Sequence, residues 1–231
     1  MNTHPCLATT TTFAPLIFGI VVVVVAVSKY LQFRQGQKRS EDLRVLATQL
    51  EFDDFNPDHD ESFAGGWGFL SRLNQGTNRF AFNVMRGTYQ EQAVFIFDYH
   101  YETGSGKNRM EHYSTAFLLV CKHVFPHLTI APETLSEKIA SAVGIGDDIK
   151  FESAEFSRMY YVRSPDKKFA YDVCHPQMME YLLQHPGLQI EMQGPALMLA
   201  FEPLLPAEKI EGRLQQLAGI RSRLPEYLFA T

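Results

Sequence analysis

NRFAFNVMRGTYQEQAVFIFDYHYETGSGKNRMEHYSTAFLLV, residues 78–120, decides the fold. Segments 78–88, 93–103 and 111–120 are rich in Phe, Tyr, Val and Ile, and the intervening GTYQEQ and GSGKNRM carry turn chemistry. Such short connections join antiparallel neighbours, so three consecutive antiparallel strands are predicted. Along the second segment Phe95, Phe97, Tyr99 and Tyr101 alternate, which puts them together on one face as core. Stacking of nucleic-acid bases on that face is excluded by the lack of basic residues to follow a phosphate backbone.

C-terminal to these strands the pattern mixes helices with short extended pieces. Pro132 precedes a helical period carrying Leu135, Ile139, Ala142 and Val143, with Gly144 placed as a cap. Residues 149–151, 159–163 and 169–173 read as short extended segments. Pro176 opens a helix bearing Met178, Met179, Leu182 and Leu183, which His185-Pro186-Gly187 stops. LQIEMQ and ALMLAFE around Gly194-Pro195 read as a hairpin, and Pro206 opens a last helix with Ile210, Leu214 and Leu217 inward. Strands in runs with interspersed helices give an α+β domain, mainly antiparallel and ending in a C-terminal helix.

N-terminal to the strands, DDFNPDHDESFAGGWGF reads as a loop because acidic residues, Pro57 and Gly65-Gly66 break any period. Before it, Ser40 is placed to cap a short amphipathic helix with Leu43, Leu46, Ala47 and Leu50 on one face. Farther upstream, TTTFAPLIFGIVVVVVAV (residues 10–27) is uncharged and followed by Lys29, Arg34, Lys38 and Arg39. About 20 apolar residues cross a bilayer, so residues 1–28 form a tail and transmembrane anchor, 29–39 a basic juxtamembrane segment, and 40–231 the α+β domain. The positive-inside rule places that domain in the cytoplasm, with the N-terminus outside. A cleavable signal peptide is the rival reading, with Ala26-Val27-Ser28 as a weak cleavage site, but no Lys or Arg precedes the apolar run.

Composition narrows the function classes. With 45% hydrophobic and 13% aromatic residues the chain supports a packed core, which excludes a disordered tail. Net charge is −5 and the basic residues outside the juxtamembrane cluster are scattered, which argues against a nucleic-acid partner. The basic cluster itself suits anionic lipid, so the bilayer is an expected partner. Cys6, Cys121 and Cys174 are odd in number and widely separated, as expected of reduced thiols rather than a disulfide framework.

Four constellations carry possible chemistry. Asp98, His100 and Glu102 alternate along one strand face, with Glu111 or His112 opposite, and carboxylates plus imidazole can hold a divalent metal or move protons. Asp98, His100, Glu102 and His112 are therefore the weak catalytic candidates, although residues near a hairpin tip are ordinarily a solvated face. No cofactor and no metal is assigned. Cys121, His123 and His127 lack a fourth ligand and read as a core cysteine beside ordinary histidines; Cys174-His175 does not pair. TGSGKN lacks the first glycine, the Ser/Thr and the following helix of a phosphate-binding loop, leaving a hairpin turn. Asp53, Asp54, Asp58, Asp60 and Glu61 lack calcium-loop spacing.

FDYHYETGSGK (residues 97–107), Pro132-Glu133 and DDIKFESAEFSRMYYV (residues 147–162) together resemble a family of bacterial single-pass membrane-anchored proteins with no assigned activity. The resemblance spans residues 80–201 and implies a bacterial inner-membrane setting, without site residues to carry over. The resulting expectation is a membrane-anchored cytoplasmic interaction or ligand-sensing domain with a possible protein partner. The alternative is a membrane-tethered metal-dependent hydrolase using the Asp98/His100 strand face.

Overall fold

The computed structural model describes residues 13–135 and 148–229. The chain divides into two units, Met1–Leu43 and Arg44–Thr231. Helix α1 (Phe13–Gln49) is unbroken over 37 residues. It is long and apolar enough to cross a membrane, with a mean hydropathy of 1.7 over its most apolar stretch and exposed Ile17, Phe18, Val23 and Val24. Ser40 lies inside this helix rather than capping a second one. Residues 29–39 contain Lys, Leu, Gln and Arg, all good helix formers, and no proline, so nothing ends the helix before Gln49.

The second unit is α+β, built on one antiparallel six-stranded sheet. The three predicted strands are β2 (Thr77–Tyr89), β3 (Gln92–Thr103) and the first part of β4 (Met110–Pro132). Between β2 and β3, Gln90 and Glu91 both take left-handed φ, 48° and 64°, giving the tight two-residue turn that matches strand twist. β4 does not end at residue 120. It runs 23 residues to Pro132 and absorbs Pro126 through register shifts on either side of Phe125.

Those shifts explain another difference. Residues 190–201 form a single strand, β6 (Ile190–Phe201), and not a hairpin, and it pairs with β4 from Thr115 to Ile130. Gly194 stands opposite Phe125 with φ +56°, so the Gly194-Pro195 pair bends both strands together rather than reversing the chain. On the other edge of β4, β3 pairs with its first half and β5 (Tyr160–Arg163) with its last four residues.

The stretch expected to be a loop carries structure. β1 (Asp54–Asn56) pairs with β2, so the sheet starts before residue 78. Asp60 then caps α2 (Glu61–Gly66), its Oδ1 accepting from the Phe63 N–H at 2.7 Å. A 3-10 turn, Ser71–Asn74, follows. Together these elements lay Ala64, Leu70 and Leu73 over the Phe97, Tyr99 and Tyr101 face, which is core as expected.

Beyond β4 the helix predicted from Pro132 is described only as a 3-10 turn, Glu133–Leu135; the rest of it lies outside the described residues. Residues 149–151 form no strand, although the Ile149 N–H donates to the Val162 carbonyl. After α3 (Ala154–Met159), residues 169–173 belong to helix α4 (Lys167–Val173) because Asp166 caps it, accepting from the Phe169 N–H at 3.0 Å. Helix α5 (Pro176–Gln184) and C-terminal helix α6 (Ala207–Arg221) match expectation, with Ile210, Leu214 and Leu217 buried. The Arg213 guanidinium of α6 sits 4.6 Å from the Phe201 ring, which packs edge-on against Phe117; this seats α6 on the sheet face opposite Tyr99.

Candidate functional site

Strand alternation sends Asp98, His100 and Glu102 to one face of β3, as expected, but none of them is solvated. All three are buried, at 1%, 3% and 6% exposure. The hairpin-tip argument for a solvated face fails, and at His100 the cover is a set of aromatic rings. His59 stacks on Phe80 at 4.1 Å, Phe80 on His100 at 4.5 Å, and Tyr113 closes on His100 at 4.8 Å. The register makes this stack, since Phe80, His100 and Tyr113 are cross-strand partners on β2, β3 and β4.

The four candidates separate into three environments. Asp98 is held inside the fold: the Asn83 amide donates to its Oδ2 at 2.9 Å and the Thr115 hydroxyl to its Oδ1 at 3.1 Å. Thr115 Oγ1 in turn accepts from the Leu205 N–H at 3.0 Å, linking β3 to the segment between β6 and α6. His112 faces the other side of the sheet. It pairs with Tyr101, stacks on that ring at 4.5 Å, and contacts Thr103 Oγ1 at 2.8 Å and Glu202 at 3.2 Å. Glu111, opposite Glu102, takes the place on the candidate face that was open to His112.

His100, Glu102 and Glu111 converge, each offering a ligand atom within 4.8 Å of the other two. His100 Nδ1 lies 3.0 Å from the Asn78 carbonyl, and the Asn78 amide donates to Glu102 Oε1 at 2.8 Å. Asn78 makes both contacts from a left-handed conformation, φ 49°, at a register shift of β2. Arg109 Nη2 approaches Glu102 Oε1 at 2.9 Å and Glu111 Oε1 at 3.8 Å. The Tyr113 hydroxyl donates to Glu111 Oε2 at 3.2 Å, and burial, followed by the Glu111 and Glu102 charges, raises its pKa. This arrangement can hold a cation. The neighbouring cavity of about 550 Å³, lined by Glu61, Leu73, Asn74, Thr77, Asn78 and Arg79, includes none of the three convergent residues.

A second buried polar cluster gave no sequence signal beyond a lone Glu in LQIEMQ. Glu191 Oε1 accepts from the Ser71 N–H at 2.6 Å and the Ser71 hydroxyl at 2.7 Å, and Oε2 from the Arg72 N–H at 3.2 Å. His127 Nε2 lies 3.2 Å from Oε1. Burial pushes the Glu191 carboxyl up, but the bonds from His127, Ser71 and Arg72 outweigh it and hold the pKa below the usual value. Serine and histidine both bond the carboxylate rather than each other, so the trio is not wired as a nucleophile and its base.

Cys121 is a buried core thiol, with burial raising its pKa to about 11; burial raises that of Cys174 as well. Neither is a ready thiolate at neutral pH. His123 packs against Phe125 at 5.4 Å, and His175 Nε2 contacts the Arg223 carbonyl at 2.8 Å. Gly104 and Lys107 lie in the β3–β4 turn, as the hairpin reading expected.

No protein-family profile matches the chain, and no curated protein matches it in sequence. Among solved structures it is similar to the crystal structure of the mycobacterial trehalose monomycolate transport factor A, TtfA, with a TM-score of 0.52 and 14% identity over 79% of this chain and 90% of that one. A likeness at that identity is one of fold.

Proposed function

We propose that this chain is a single-pass inner-membrane protein whose α+β domain, on the cytoplasmic side, is a non-catalytic interaction module within a membrane assembly. The carrying observation is α1, one unbroken helix that contains apolar residues 13–27 and the basic residues Lys29, Arg34, Lys38 and Arg39. An apolar stretch of that length with cations on one flank suits an anchor of N-out, C-in orientation. A role in transport is an analogy of fold alone, drawn from the likeness to a protein named as a transport factor. The resemblance of residues 97–107 and 147–162 to bacterial membrane-anchored proteins is in keeping with the same setting.

The module reading rests further on where the polar side chains go. Asp98 and Glu191 are consumed by structural hydrogen bonds, and Cys121 and Cys174 are buried. Convergence of His100, Glu102 and Glu111 favours the metal-dependent hydrolase to the extent of cation binding, but Asp98 and His112 lie outside that cluster. Photo-crosslinkers at the exposed Met110 and Tyr113 of the full-length, membrane-inserted chain test the proposal. One reproducible crosslinked protein is the expected result. Metal-stimulated hydrolysis of ester or phosphoester substrates by the purified chain, without any crosslinked partner, would replace the module reading with the enzyme.

A further inference from the structure

We infer that His100, Glu102 and Glu111 form a binding site for a divalent transition-metal ion, and that Arg109 is the internal cation the metal displaces. The inference goes beyond the interaction module, which needs no metal.

The ligand set comes first. One imidazole and two carboxylates are a donor combination that zinc and its first-row neighbours accept, and their ligand atoms already lie within 4.8 Å of one another. The backbone supplies the orienting contact. A carbonyl oxygen can only accept, so at 3.0 Å from the Asn78 carbonyl His100 Nδ1 must carry the proton, which leaves the lone pair on Nε2. Such a bond from the second ring nitrogen to a carbonyl is how proteins fix the tautomer and orientation of a metal-binding histidine. Among the hydrogen bonds of the described residues none engages Nε2, and the ring is packed between Phe80 and Tyr113. Asn78 orients Glu102 in the same way, its amide bonding Oε1 and leaving Oε2 for a ligand.

Charge balance accounts for the site in the arrangement described here. Two carboxylates 4.8 Å apart or closer repel, and the Arg109 guanidinium neutralises them from Glu102 Oε1 and Glu111 Oε1. Its side chain is 54% exposed, and it follows the short 3-10 turn Gly106–Asn108 in the β3–β4 connection. It can therefore withdraw to solvent without moving either strand. Metal entry exchanges one cation for another at the same pair of carboxylates, so metal affinity and the Arg109 contact are in direct competition.

The test uses the full chain in detergent micelles, titrated with zinc against a chromogenic chelator, with cobalt as a spectroscopic substitute and calcium as an oxygen-seeking control. The expected result is one zinc per chain. Affinity falls about tenfold or more in Glu111→Gln and in His100→Gln, while Arg109→Gln binds more tightly than the parent. Glu111 is solvent-exposed, so its variant keeps the test valid if the buried His100 variant does not fold. Cobalt gains visible absorption of a nitrogen–oxygen site that His100→Gln or Glu111→Gln diminishes. Absence of stoichiometric zinc binding, zinc affinity unchanged in Glu111→Gln, or calcium binding as tight as zinc overturns the site; unchanged affinity in Arg109→Gln overturns the exchange.

Discussion

Replacing Glu191 by alanine is expected to destabilise the α+β domain by about 3–5 kcal/mol, the cost of deleting a buried, multiply bonded carboxylate. The side chain is 1% exposed and receives two backbone N–H groups, one hydroxyl and the His127 ring. Removing it leaves the buried His127 ring and the part-buried Ser71 and Arg72 donors without their acceptor. It also releases the Ser71–Asn74 turn, which holds Leu70 and Leu73 against Tyr99. Trp67, the single tryptophan, lies just before that turn, so urea unfolding followed by its fluorescence reads the loss. The pH dependence has a definite sign. Because the folded pKa is held below the usual value, Glu191 contributes its stability fully above the unfolded value of about 4.5 and loses it as pH falls through the lower folded value. Glu191→Gln is expected to be less stable than the parent at neutral pH and to show a shallower loss in acid. A change below about 1 kcal/mol in Glu191→Ala would show that the cluster is not a structural tie.

Gly76→Ala is the second large effect, about 3–4 kcal/mol, and it reaches the candidate metal site through the backbone. Gly76 has φ +59°, a conformation costing an alanine about 1–2 kcal/mol. A methyl group there would meet the Glu102 carbonyl oxygen at 2.0 Å, and backbone in a strand has little room to give. The first β2–β3 pair, Thr77 with Glu102, would have to open. Lower stability and weakened zinc binding are therefore expected together. Gly65→Ala, in α2 with nothing within 4 Å of the added methyl, serves as the contrast and should be neutral or slightly stabilising.

These two positions also show what a sequence does and does not display. The three apolar segments with their turns, and the alternation of Phe95, Phe97, Tyr99 and Tyr101 along one of them, are local signals, and they were sufficient for three strands and a core face. Gly194-Pro195 is a local signal of the opposite kind: the dipeptide looks like a turn, and only the matching irregularity around Phe125, far off in the chain, makes it a bend within one strand. Asp60 and Asp166 begin helices so short that their caps outweigh any hydrophobic period.

At the site, parity put Asp98, His100 and Glu102 on one face, but burial depended on rings from three other segments. The choice between Glu111 and His112 depended on the β3–β4 register. Glu191 was illegible because Ser71, which anchors it, lies 120 positions away. Arg109 was visible only as one of the residues of a turn, since its role comes from the carboxylates it faces.

The central claim is that α1 anchors the chain with the α+β domain in the cytoplasm. The most direct measurement is carbonate extraction of membranes from bacterial cells expressing the full chain, with a green fluorescent protein or an alkaline phosphatase reporter at the C-terminus. The account predicts intact protein in the carbonate-resistant pellet, a fluorescent fusion and a silent phosphatase. A soluble or N-terminally shortened product with an active phosphatase would contradict it, making residues 10–27 an export signal and the α+β domain an exported one.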